Sequence, residues 1–141
     1  MESGWRGVLQ GKPTSLVDDL LLDAQIQLAE KNTRSAMISA AVACEILLTR
    51  KVREALLIAG GIDGGGADQL ADEVSKRALP KLLGVFYKIT PTEIDDLISV
   101  FKVRNDLVHQ GQHFPPANAS VQSAIDLGKR LQSLEPRLAS S

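Results

Sequence analysis

The stretch from Thr33 to Ala59 constrains the fold more than any other part of the chain. Its first half is rich in small residues, namely Ala36, Ser39, Ala40, Ala41, Ala43 and Cys44. Its second half carries the larger apolar residues Ile46, Leu47, Leu48, Val52, Leu56 and Leu57. Small side chains cost little entropy in a helix and let a neighbouring helix approach closely. The stretch therefore predicts one long helix against which other helices pack.

A first helix is predicted before it. Thr14 or Ser15 can cap its start, and Asp18 lies in its first turns, where the helix dipole favours a negative charge. Lys31-Asn32 marks its end. We expect its apolar side to consist of Leu16, Leu20, Ile26 and Leu28.

A glycine-rich segment, residues 60–66, ends the long helix. No Gly-Lys-Ser/Thr follows it and no strand precedes it, which argues against a phosphate-binding loop. A third helical region spans residues 67–89, and Pro80 should break it because proline lacks the backbone donor. We expect one helix to end near Arg77 or Ala78 and a shorter one to run from Pro80 to Tyr87.

Thr90-Pro91-Thr92-Glu93 has the pattern of a helix start, in which Thr90 caps and Glu93 completes a capping box. This fourth helix should run to about Gln110 and stop at Gly111, with the apolar stripe Ile94, Leu97, Ile98, Phe101, Leu107 and Val108. Pro115-Pro116 predicts a loop. A last helix is expected from Asn118 to Leu134, with Val121, Ile125, Leu127 and Leu131 inward.

These segments predict an all-α protein, an up-and-down bundle of four to five helices. Hydrophobic residues make up 44% of the 141 residues and aromatic residues only 4%, so Leu, Ile, Val and Ala must build the core. We expect a single domain at 14–136, a flexible N-terminal arm at 1–13 and a short tail at 137–141.

Charge and cysteine content exclude several classes of function. The formal net charge of -1 argues against broad coating of nucleic acid, although a local basic site remains compatible with it. The single cysteine cannot form an internal disulfide, and no Cys/His cluster has the spacing of zinc ligands. We therefore expect no metal, no cofactor and no membrane contact, and a cytoplasmic location.

Chemistry-bearing residues cluster near the end of the fourth predicted helix, at Lys102, Arg104, Asn105, His109 and His113. Asn105 and His109 are four residues apart and share a helical face. Arg104 and His109 are five apart and point about 140° away from each other. Arg104 must reach around the helix, or the helix must deform, for both to meet one ligand.

Such a set can cleave a phosphodiester. His109 can transfer protons near neutral pH, and Arg104 can hold a phosphate oxygen and stabilise the charge that grows in the transition state. Asn105 can orient the imidazole. Cleavage of RNA by its own 2′-hydroxyl needs one base and one acid, and a symmetric dimer would bring a second His109 to the same cleft.

The run Arg104-Asn105-Asp106-Leu107-Val108-His109, late in a helical chain, resembles the Arg-x4-His motif of the HEPN family, which commonly has Asn, Asp or His directly after the Arg. The resemblance implies a metal-independent endoribonuclease with its site across a homodimer, in a toxin–antitoxin or anti-phage system, where an antitoxin or other protein can be a partner. Other HEPN members have lost catalysis and bind a partner protein, nucleotide or RNA. That inactive module is the alternative hypothesis.

Several residues keep two interpretations. Glu45, in an apolar stretch, either pairs with Arg104 or His109 and belongs to the site, or pairs with Arg34 or Thr49 at a polar edge. Arg104 itself has Asp95, Asp96 and Asp106 as alternative salt-bridge partners. Lys102 and His113 are candidate RNA contacts or solvated residues. A basic cluster at 49–53 is either a solvated face or a contact for the RNA backbone.

Overall fold

The computed structural model describes residues 15–58, 78–109 and 115–135, and five helices lie in these ranges. They are α1 (Ser15–Ala29), α2 (Thr33–Ile58), α3 (Leu79–Phe86), α4 (Pro91–His109) and α5 (Asn118–Gln132). The all-α bundle is confirmed. The expected N-terminal arm, the glycine-rich segment, the helix expected before Arg77, the stop at Gly111 and the tail lie outside the described residues. No described helix is long and apolar enough to cross a membrane.

α2 packs against all four other helices. Its small residues Ala36, Ala40, Ala41, Ala43 and Cys44 are fully buried, and Leu47, Leu48, Val52 and Leu56 of its second half are buried as well. Their short side chains let α1 and α5 lie close to the α2 backbone. At Gly128 of α5, for example, an added Cβ would lie 2.7 Å from a Leu21 methyl and 3.7 Å from Cys44 Sγ. The sequence prediction for this segment is confirmed.

The four long helices alternate in direction. Gln132 donates to Asp18 and Gly128 lies against Leu21, so α5 runs antiparallel to α1. α1 and α2 form a hairpin, with a hydrogen bond from Ser39 to Asp23. The contacts between α2 and α4 require that these two helices are antiparallel as well. α1, α2, α4 and α5 therefore form an up-and-down bundle, and α3 is a short addition against α2 and α4.

The hairpin between α1 and α2 ends α1 where the sequence predicted. Lys31 has a left-handed backbone with φ of 64°, its N–H donates to the Leu28 carbonyl, and the Asn32 N–H donates to the Gln27 carbonyl. This pair of bonds is a Schellman motif, which satisfies carbonyls that the helix end leaves without partners. The Asn32 carbonyl then accepts from the Ala36 N–H in the first turn of α2.

The expected apolar side of α1 was wrong in part. Leu16 and Ile26 are 54% and 49% exposed, whereas Val17, Leu21 and Ala24 are buried. Spacings of four and three residues join these three into a stripe that faces α2 and α5. Leu20 and Leu28 only flank it.

The start of α4 confirms the predicted capping box. The Thr90 N–H donates to Glu93 Oε1 at 3.0 Å, and the Glu93 N–H donates to Thr90 Oγ1 at 3.1 Å. Arg130 of α5 donates to the other Glu93 oxygen at 2.9 Å and so ties α5 to this end of α4. The expected stripe of α4 is buried or half-buried except at Val108, where it was wrong, because Val108 is 52% exposed.

Pro80 begins a helix rather than interrupting one, as predicted, because α3 starts at Leu79 with proline in its first turn. After α3, the Tyr87 hydroxyl donates to the Lys51 carbonyl at 2.9 Å, and the Lys51 ammonium lies 5.5 Å from the Tyr87 ring centre. Burial, and then the Glu54 carboxylate, raise the pKa of Tyr87. The ring therefore stays a neutral donor that anchors the end of α3 to α2.

We predict that Cys44 does not react with thiol reagents in the folded protein. Burial raises the pKa of the Cys44 thiol to about 12, so almost no thiolate forms at mildly alkaline pH, and Sγ lies 3.7 Å from the Ala124 carbonyl inside the core. Labelling with a chromogenic disulfide reagent should follow the rate of unfolding across a denaturant series. Fast labelling without denaturant would contradict the packing of α2 against α5.

We predict that Glu93 makes stability depend on acid pH. The Thr90 N–H lowers the pKa of Glu93 from its ordinary value of 4.5, burial opposes this shift, and Arg130 adds to it. The stabilisation is complete above pH 4.5 and is lost as the pH falls through the lowered pKa. Denaturant unfolding should show a gap between wild type and Glu93→Gln that narrows on acidification, with Glu135→Gln, an exposed carboxylate, as control. A gap that is constant with pH would contradict the prediction.

Candidate functional site

Arg104 extends from α4 onto α2, where its Nη1 donates to Glu45 Oε1 at 2.9 Å. The Arg104 side chain is 13% exposed and that of Glu45 is 29% exposed. Of the interpretations open for Glu45, the structure shows the pairing with Arg104. The alternative salt bridges of Arg104, with Asp95, Asp96 or Asp106 of its own helix, are not the pairing that the structure shows.

Two further contacts orient the guanidinium of Arg104. Its Nε donates to Asn105 Oδ1 at 3.1 Å, and its central carbon lies 5.9 Å from the centre of the Phe101 ring. A guanidinium has five N–H donors, and these two hydrogen bonds use two of them. Among the described residues, three donors therefore remain without an acceptor, on a group whose plane is held by a carboxylate, an amide and a ring.

A second arginine ties the end of α4 to α2. Arg34 Nη2 donates to the Leu107 carbonyl at 2.8 Å, and Leu107 lies in the last described turn of α4. Arg34 and Glu45 are eleven residues apart, which is about three helical turns, so they share one face of α2. Going along α2 from Arg34 to Glu45, the α4 partners go backward from 107 to 104, so the helices are antiparallel.

The role of Arg34 was not predicted from the sequence. It was considered only as an alternative partner for Glu45. The spacing of eleven residues between Arg34 and Glu45 is a signal that could have indicated a shared face towards α4. No sequence signal shows that a backbone carbonyl, rather than a carboxylate, accepts from Arg34.

His109 lies on the opposite side of α4 from Arg104. α4 remains α-helical to His109, so the angle of about 140° between the two side chains is not reduced by any deformation. His109 is exposed, and its imidazole has no hydrogen bond within the described residues. Asn105 lies between the two directions and contacts Arg104, not His109. One chain therefore does not bring Arg104 and His109 together.

Lys102 is exposed and lies seven residues before His109, on the same side of α4. The two side chains thus share a solvent-facing surface with Asn105. His113, the other candidate RNA contact, lies outside the described residues.

The side chains of the basic cluster of α2 contact different parts of the protein. Lys51 turns to the Tyr87 ring, whereas Thr49, Arg50 and Arg53 line a groove that also contains Glu45. Arg50 and Arg53 are half-buried. Two arginines thus stand on the same surface of α2 as the carboxylate that holds Arg104.

The site accordingly has two parts on one helix. The inward part is an anchored arginine, a side chain suited to receiving an anion, and the outward part is an exposed imidazole. Within the described residues, no group of three or more His, Cys, Asp or Glu side chains lies close enough together to hold a metal ion.

Comparisons with protein-family models, with curated proteins and with solved structures found no match for this chain.

We predict that Glu45 and Arg104 are strongly coupled in stability. Each is mostly buried, so removing one leaves the other charge without its partner. A double-mutant cycle of Glu45→Ala and Arg104→Ala in denaturant unfolding should give a coupling free energy of about 1–2 kcal/mol. The exposed pair Lys88–Glu135 is the control and should give less than about 0.5 kcal/mol. Equal coupling in the two pairs would contradict the assignment.

Proposed function

We propose that this protein is a metal-independent endoribonuclease that acts as a homodimer. The observation that carries the proposal is the anchored Arg104, whose guanidinium keeps donors unused by the described residues while Glu45 and Asn105 hold it in place. The resemblance to the HEPN family supports the same activity in a toxin–antitoxin or anti-phage setting, with an antitoxin or similar protein as a further partner.

Arg104 is the residue that binds the scissile phosphate. Its remaining N–H groups donate to the non-bridging oxygens, and these bonds strengthen as negative charge grows on the phosphorane. Glu45 does not touch the substrate and acts as a positioning residue, because its carboxylate fixes the plane of the guanidinium. Asn105 completes this support by accepting from Nε.

His109 supplies the proton transfers. One imidazole removes the proton of the RNA 2′-hydroxyl, whose oxygen attacks the adjacent phosphorus. The bond from phosphorus to the 5′ oxygen breaks, and the His109 of the partner subunit donates a proton to that oxygen. The products are a 2′,3′-cyclic phosphate and a 5′-hydroxyl, and no water or metal is consumed.

The geometry of α4 supports a dimer. In one chain, Arg104 points to α2 and His109 points to solvent, so His109 of the same chain does not reach a phosphate at Arg104. A two-fold axis next to the exposed surface of His109 brings the imidazole of each copy towards the arginine of the other. Arg104 and His109, which lie apart in one chain, are thus brought together from two chains.

We predict that purified protein cleaves a mixed, end-labelled RNA in the presence of a chelator and leaves 2′,3′-cyclic phosphate ends. His109→Ala should lower the rate at least about 100-fold, since it removes general acid–base catalysis. Arg104→Ala should cost about 100- to 1,000-fold, since it removes a preorganised donor to the transition state. Val108→Ala, on the neighbouring exposed position, is the matched control and should cleave like wild type.

Circular dichroism and thermal melting of each variant separate a lost catalytic group from a lost fold. For Arg104, the variant Arg104→Lys keeps the charge that Glu45 needs and should fold, yet it loses the planar fork and should cleave poorly. Equal cleavage by wild type, His109→Ala and Arg104→Ala would contradict the assignment of the site.

The alternative function is a catalytically inactive module that binds a partner protein, a nucleotide or RNA. The pairing of Arg104 with Glu45 favours it, because a paired arginine can serve stability alone, and so does the net charge of -1. This module would form a stable complex with its partner that His109→Ala leaves unchanged, and wild type would not cleave RNA.

A further inference from the structure

Arg34 lies at the start of α2 and reaches across to the far end of α4. Its Nη2 donates to the Leu107 carbonyl oxygen at 2.8 Å, although 73 residues separate the two in the chain. Leu107 lies two residues before His109, where the described part of α4 ends. The bond therefore lies in the same helical turn as the imidazole to which the proposed function assigns the proton transfers.

The direction of the His109 imidazole is set by its backbone. The side chain is exposed and has no hydrogen bond within the described residues. In a helix, the position of the backbone fixes the Cα–Cβ bond and thereby the side of the helix on which the side chain lies. Whatever holds the last described turn of α4 in place therefore also aims the imidazole.

Two hydrogen bonds hold this turn to α2, in addition to the buried Leu107 side chain. Arg104 donates to Glu45 from its side chain, and Leu107 accepts from Arg34 at its backbone. A helix can rotate or tilt about a single contact, whereas two contacts on one turn oppose both movements. Apolar burial has no preferred direction and a hydrogen bond does, so the bond from Arg34 orients the turn more closely than the burial of Leu107 alone.

We propose that Arg34 is a positioning residue, which holds the last described turn of α4 so that His109 of each copy is aimed at Arg104 of the other. This inference rests on the proposed ribonuclease function. Arg34 acts through the backbone at Leu107 and does not touch the reacting atoms. An arginine is suited to this place, because a cation near the carboxyl end of a helix is favoured by the helix dipole and can donate to its carbonyls.

Two other roles of Arg34 predict different kinetics. A direct contact with an RNA phosphate would contribute to binding of the substrate, so its loss would raise KM. A role in overall stability alone would leave both constants of the folded enzyme unchanged. Loss of a positioning contact lowers kcat instead, because the RNA still binds while the proton-transfer group is misplaced, and a displacement of about 1 Å can cost about 100-fold.

The test compares cleavage of one labelled RNA by wild type, Arg34→Ala and Arg34→Lys. Arg34→Ala should lower kcat about 10- to 100-fold and leave KM unchanged. Arg34→Lys keeps a cationic donor on a long side chain and should recover most of kcat. The matched control is Ser39→Ala, which removes a hydrogen bond of 2.8 Å from α2 to Asp23 of α1 and should leave both constants unchanged.

A second measurement does not depend on cleavage. The NMR chemical shifts of the Cα atoms of Val108 and His109 report how helical the backbone is at these residues. Arg34→Ala should move both shifts towards the values of an unfolded chain and leave the shifts of α1 unchanged. Ser39→Ala should leave the shifts of Val108 and His109 at their wild-type values.

An unchanged kcat in Arg34→Ala would overturn the proposal, and a raised KM with that unchanged kcat would replace it with a phosphate contact. An equal loss of kcat in Ser39→Ala would overturn it in favour of general destabilisation. The proposed enzyme fails separately. If wild type does not cleave RNA while Arg34→Ala alone moves the two shifts, Arg34 holds the turn and the ribonuclease is wrong.

Discussion

The close packing of other helices around α2 is the constraint on which the rest of the structure depends. A helix surrounded on most sides can be approached closely only where its side chains are short, and the first half of α2 meets this condition with alanines and Cys44. A charged residue in such a helix needs a partner, because the cost of burying an unpaired carboxylate is large. Glu45 meets this need through Arg104, and that pair fixes the position of α4 on α2.

The direction of each candidate side chain follows from this attachment. Arg104 faces α2 because Leu97, Phe101 and Leu107 on neighbouring turns are buried there. With about 100° between successive residues, His109 then has to point to solvent. The two groups of the motif are thus separated by the regularity of the helix itself, and the proposed active site brings them together from two chains.

Local signals in the sequence were sufficient for three of the helix boundaries that the structure describes. The Thr90–Glu93 capping box, Pro80 in the first turn of α3 and the turn at Lys31-Asn32 all lie where the sequence predicted, because each acts through bonds to residues three to five positions away.

The contacts between helices could not be predicted from such local signals. Leu16, Val17, Leu20, Leu21 and Leu22 offer two overlapping apolar stripes on α1, and only the neighbours decide which one is buried. Likewise, Glu45 had several possible arginines and histidines within the sequence, and its pairing with Arg104 depends on how α4 lies on α2. The bond from Arg34 to the Leu107 carbonyl has no local signature, since 73 residues separate the two.

The most direct test of the central claim, that two chains build one active site, is the activity of wild type mixed with His109→Ala. If each cleft needs His109 from both copies, a dimer of one wild-type and one variant subunit is inactive. Cleavage per wild-type chain should then fall to about half in an equimolar, fully exchanged mixture. Addition of Val108→Ala instead should not lower it. Cleavage per wild-type chain that stays constant as His109→Ala is added would show that one chain suffices and would contradict the account.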